Sequence, residues 1–164
     1  MITETDIEEI RQLFARYSQT LDLGDVEGFV SCFAEDGSLD TNLPGEGMAG
    51  VHQGHDGLRK FAAANADYSG GCVRQSALNL LIEGDDENAR ASSFVFVTRA
   101  FDDVTNAYGR PSEATRSALE TTGMFFDELV KPDGRWLFAR RQYRQDGTPD
   151  VLERVLKPVA VGPR

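Results

Sequence analysis

Residues 70–101 read GGCVRQSALNLLIEGDDENARASSFVFVTRAF, and this stretch decides the fold. After Gly70-Gly71 the apolar period becomes two. Leu78, Leu80 and Ile82 alternate on one strand face, and Gln75, Ala77, Asn79 and Leu81 occupy the other. Gly84-Asp85-Asp86-Glu87-Asn88 is a turn. A second strand covers 89–101. Its centre, Phe94-Val95-Phe96-Val97, is apolar on both faces, as in a strand covered on both sides. Two strands joined by so short a turn are antiparallel neighbours.

Downstream, residues 102–112 form a polar loop and a third long strand runs over 115–130. Lys131-Pro132-Asp133-Gly134 turns the chain into a last strand over 136–143, and Pro149 opens a short C-terminal helix. Upstream the period is helical. Thr5-x-x-Glu8 has the form of a capping box, and Ile7, Ile10, Phe14, Tyr17 and Leu21 follow as one apolar stripe. Gly24 ends that helix. Asp25 caps a second one, carrying Val26, Phe29, Val30 and Phe33, which Glu35-Asp36-Gly37 stops. A short edge strand is expected around 48–52 and a third helix over 56–64, with Leu58, Phe61 and Ala62 inward.

Helices followed by hairpin-linked strands predict an α+β domain. The expected form is a curved antiparallel sheet wrapped around the N-terminal helices, a cone-shaped α+β barrel with a cavity at its open end. One domain is expected over 1–164: a helical part at 4–66, a sheet at 72–145 and a tail at 146–164. The central strands are apolar on both faces, yet the helices cover only one. A homodimer through the sheet would bury the other.

Composition narrows the partners. The net charge of −10 repels phosphate backbones and anionic lipid, so neither nucleic acid nor a membrane is an expected partner. No apolar run approaches the ~20 residues of a membrane span, and MITETDIEEI lacks the pattern of a signal peptide. Cys32 and Cys72 form neither a metal spacing nor a disulfide framework, which agrees with reduced thiols in the cytoplasm.

The chain resembles the SnoaL-like branch of the nuclear-transport-factor-2-like superfamily. The resemblance rests on IRQLFARYSQTLDLGD at 10–25, FVSCFAEDG at 29–37 and Gly54-x-x-Gly57-Leu58-x-x-Phe61. It continues through Asn79 in NLLIEGD and Gly134-x-Trp136-x-Phe138-x-x-Arg141. It implies a binding cavity for a small hydrophobic molecule, aromatic or polycyclic, and no cofactor or metal. In dehydratase relatives an Asp on the first helix works with a His on the strand. Those positions carry over to Gln19 and Gln75, whose amides do not titrate near neutral pH. Tyr17 and Asp22 match a Tyr and an Asp of bile-acid-type dehydratases, and Arg144 matches an Arg on their last strand.

The candidate catalytic residues are therefore Tyr17, Asp22 and Arg144. The candidate ligand-binding residues are Gln19, Gln75, Asn79, Ser93, Arg141 and Tyr143. Each has a plainer reading: Tyr17 as a core tyrosine, Asp22 as a solvated residue, the arginines as partners of acidic neighbours. Asp22 lies in the last turn of its helix, where the dipole disfavours an anion and a compensating group is called for. His52 and His55, with no third ligand nearby, read as loop histidines and not a metal site. Two functions stay open. One is cofactor-free dehydratase, cyclase or isomerase chemistry. The other is a non-catalytic ligand-binding protein or accessory subunit, favoured by the loss of the Asp/His pair.

Overall fold

The structure, a computed structural model, describes residues 1–101 and 116–147. The expected loop over 102–112 and the C-terminal helix opening at Pro149 lie outside the described residues. Helix α1 covers Glu4–Asp22, α2 Val26–Val30 and α3 Gly54–Ser69. The strands are β1 (Phe33–Thr41), β2 (Gly50–Gln53), β3 (Val73–Gly84), β4 (Asn88–Phe101), β5 (Arg116–Val130) and β6 (Leu137–Gln145). They form one curved, unclosed sheet in the order β2-β1-β6-β5-β4-β3, an α+β architecture as expected.

The sheet is not wholly antiparallel. β1 and β6 pair in parallel, because β1 is laid down before the helix α3 and β6 returns beside it last. The sequence reading missed β1 altogether, since Glu35-Asp36-Gly37 looked like a helix stop. The strand runs through those residues, with its register against β6 shifted between Phe33 and Ser38. Phe33 accordingly belongs to β1 and not to the second helix. Similar register shifts interrupt the β3–β4, β4–β5 and β5–β6 pairings. Each extra residue bends its strand and raises the local twist, which is how the sheet curves around the helices.

The helix α1 lays Ile10, Leu13, Phe14, Tyr17 and Leu21 on the concave face, all buried. Phe29, Phe33, Phe125 and Phe138 surround Tyr17 with ring centroids 5.2–6.0 Å away. The capping box lies one pair earlier than expected: Thr3 caps α1 and Asp6, not Glu8, reciprocates. Asp6 does more than cap. Its carboxylate also accepts from Trp136 Nε1 at 2.9 Å and pairs with Lys131, so the start of α1 is tied to the β5–β6 hairpin. As expected, Asp25 caps α2, accepting from the Gly28 N–H. The helix α3 extends past the expected end at Ala64 to Ser69. Gly70 stops it in the left-handed conformation, φ 54°, which favours glycine.

On the convex face Leu78, Leu81, Phe94 and Phe96 are 41–69% exposed. Leu78 and Phe94 are cross-strand partners, so β3 and β4 carry one outward apolar patch. No helix among the described residues is long and apolar enough to cross a membrane.

Candidate functional site

Between the sheet, the end of α1 and α3 lies a cavity of about 210 Å³. Its walls are mostly apolar: Leu21, Leu39, Met48, Phe61, Val97 and Phe125 all contribute. Polar groups are few and come from separate elements. Tyr17 reaches it from α1, Gln75 from β3, Asn65 and Tyr68 from the last turns of α3, Glu120 and Thr121 from β5, and Tyr143 from β6. The Thr41 hydroxyl accepts from the Leu43 N–H and donates to the Met48 carbonyl, which pins the 42–49 loop over one side.

The local chemistry explains each placement. Tyr17 continues the buried stripe of α1. Burial holds its phenol well above the usual range, so the group is a neutral donor at physiological pH. Tyr143 is buried too, and burial pushes its hydroxyl up to about 12. Its ring fits only because residue 123 is glycine. A Cβ there would lie 2.7 Å from Tyr143 Cε2 and 2.5 Å from the Arg144 carbonyl oxygen.

Asp22 is buried where α1 ends and meets the edge strand β3. Its Oδ2 accepts from the Gln75 backbone N–H at 2.8 Å and its Oδ1 from the Gln75 amide at 3.2 Å. Burial raises the Asp22 pKa, and these two bonds oppose the rise. The compensation that the helix dipole called for thus comes from Gln75. The helix residue facing Gln75 is Asp22 and not Gln19. Gln19 is exposed and outside the cavity. Helix and strand thus meet here through a carboxylate and an amide, with no imidazole between them. The histidines do not supply the missing ring: His52 Nε2 bonds the Met48 carbonyl oxygen and His55 Nε2 that of Phe33.

Four further expectations are corrected. Asn79 does not share the inward face with Gln75 and Ala77. It sits at the β3 bulge with φ 53°, exposed, and the bulge turns Leu80 and Ile82 inward while Leu78 faces out. Arg144 lies on the opposite sheet face from the cavity and pairs with Asp40 of β1. The inward arginine is Arg141, but it sits beneath the cavity, not at its mouth. Its guanidinium carbon is 3.8–4.5 Å from the ring centroids of Phe14, Tyr17, Phe125 and Phe138. Its Nε is 3.5 Å from the Asp127 carboxylate. Burial pushes Asp127 up to about 7 against the pull of that cation. Ser93 is buried on the same face and is not part of the cavity wall.

The sequence reading missed Asn65, Tyr68, Glu120 and Asp127. Asn65 and Tyr68 lie beyond the expected end of α3. Glu120 meets Tyr68 and Arg99, the latter at 3.0 Å, an alliance of three elements with no local signal. Asp127 alone was detectable: it interrupts the inward series Phe125, Leu129 with a charge. No set of three metal-binding side chains converges among the described residues.

The sequence matches the SnoaL-like domain model over residues 3–142. A variant of Rv3472, a function-unknown protein from Mycobacterium tuberculosis, is 32% identical with a TM-score of 0.70, over 89% of this chain and 75% of that one. A protein of unknown function with a cystatin-like fold from Nostoc punctiforme is 26% identical with a TM-score of 0.72, over 90% and 96%. An NTF2-like protein with a cystatin-like fold from Novosphingobium aromaticivorans, at 17% identity and a TM-score of 0.69 over 96% and 99%, shares the fold. No curated protein matches the chain.

Proposed function

The chain belongs to the SnoaL-like domain family, and from that premise we propose that it binds a small ring-bearing molecule in the cavity without the family's acid–base chemistry. The Asp22–Gln75 contact carries this reading. A proton-abstracting pair needs a titratable partner at residue 75, and an amide that donates to Asp22 supplies none. Glu120, the carboxylate in the cavity wall, is held by Arg99 at 3.0 Å and by the Tyr68 hydroxyl.

The volume limits the guest. An apolar cavity of about 150 Å³ admits benzene, so about 210 Å³ suits one substituted ring or a fused pair. The neutral hydroxyls of Tyr17 and Tyr143 and the amides of Asn65 and Gln75 favour a guest with one or two oxygen substituents. The same reading includes a homodimer through the convex face, which would bury the Leu78–Phe94 patch.

Native mass spectrometry of the purified protein, followed by release of the bound mass, tests the binding reading. A retained ring compound that wild type leaves unchanged is the expected result. Conversion of that compound by wild type would overturn it. Gln75→His probes the chemistry, since it places an imidazole beside Asp22. Turnover gained only in that variant would identify residue 75 as the reason wild type only binds.

A further inference from the structure

Directly below the cavity floor, the concave face carries a polar row where a core would ordinarily be apolar. Asp127 of β5 and Arg141 of β6 are cross-strand partners, and Ser93 of β4 lies diagonally beside Asp127, opposite Phe125. All three are almost completely buried, at 4%, 1% and 2% exposure. Their polar atoms are nevertheless unpartnered. Ser93 Oγ, both Asp127 carboxylate oxygens, and Arg141 Nε and Nη1 make no hydrogen bond. The Arg141 Nε to Asp127 Oδ1 approach, at 3.5 Å, is an ion contact without hydrogen-bond geometry. A buried polar group left unsatisfied is costly, and native folds rarely leave several together.

The row also lies close to the ligand cavity. The Arg141 guanidinium carbon is 3.8 Å from the Phe125 centroid and 4.1 Å from that of Tyr17, and both rings line the cavity. One layer of aromatic rings separates the two spaces.

The donors and acceptors select the guest. Arg141 offers only N–H donors, and Asp127, as carboxylate, offers only acceptors. An anion would satisfy Arg141 but face Asp127, and a cation the reverse. A carbonyl oxygen only accepts, so it would leave the Asp127 carboxylate unpaired and could pair only with the protonated acid. A hydroxyl oxygen accepts from Arg141 and donates to Asp127 in the same place, and Ser93 can complete either role. We propose that Ser93, Asp127 and Arg141 form an internal site for one hydroxyl oxygen, that of a buried water molecule.

A high-resolution crystal structure of the full chain decides it. An oxygen within hydrogen-bond distance of Asp127 and Arg141 establishes the site with water as its occupant. Direct closure of Asp127 onto Arg141 as a two-point hydrogen-bonded pair, with no oxygen between them, overturns the proposal.

Discussion

Replacing Arg141 with methionine keeps bulk among four aromatic rings and removes the charge that faces Asp127. Breaking a buried ion pair from one side costs about 3–5 kcal/mol, because the remaining charge is left uncompensated. That cost depends on pH here. Burial raises Asp127 to about 7 in the folded protein, above its unfolded value, so its contribution to stability is full below about pH 4 and is lost as pH rises through about 7. At pH 5 Asp127 is protonated, and Arg141→Met removes only ring stacking, a loss of at most about 2 kcal/mol. At pH 8.5 the carboxyl must either ionise unpaired or hold its proton against the solution, and the loss reaches the full about 3–5 kcal/mol. Urea denaturation at both pH values, followed through the single tryptophan, Trp136, reads the difference directly. Arg141→Met/Asp127→Leu should lose this extra pH dependence and regain most of the stability at pH 8.5. Equal losses at pH 5 and 8.5, or a double variant as unstable as the single one at pH 8.5, would refute the reasoning.

Gly123→Ala places a methyl group 2.7 Å from the Tyr143 ring, so urea denaturation should show a loss of about 1–3 kcal/mol and ligand titration a weaker binder. Asp6→Asn should loosen the start of α1 from the β5–β6 hairpin and change Trp136 fluorescence in the native state. Lys131, with Thr3 and Trp136, holds the Asp6 carboxyl well below the usual range, so the wild type draws stability from it above about pH 4 that is lost as pH falls through the low native value; the variant should show a flatter acid limb in a pH titration of stability. Phe94→Glu puts a charge in the convex apolar patch, and sedimentation should then show monomer where wild type shows dimer. Monomeric wild type at micromolar concentration would remove the dimer reading.

The sequence determined what local periodicity can carry. The α1 stripe from Ile10 to Leu21, the Asp25 cap, the hairpin turn at 84–88 and the three long strands all follow from spacing alone, because each is fixed by neighbours within a few residues. Tertiary structure decided the rest. The strand β1 runs through Glu35-Asp36-Gly37 because β6 pairs with it from a hundred residues downstream, and no local propensity reports such a partner. The bulge at Asn79 shifts the alternation by one, so a period-two reading that places Gln75 correctly sends Asn79 to the wrong face. Arg141 and Arg144 were both candidates for the same reason, since only the register against β5 and β1 tells which arginine faces inward. The pairing of Asp22 with Gln75 joins residues 53 positions apart. Both were visible as candidates, but their contact exists only because the end of α1 packs on the edge of the sheet. Residue identity set which groups could do chemistry, and the long-range register of the sheet set which of them meet.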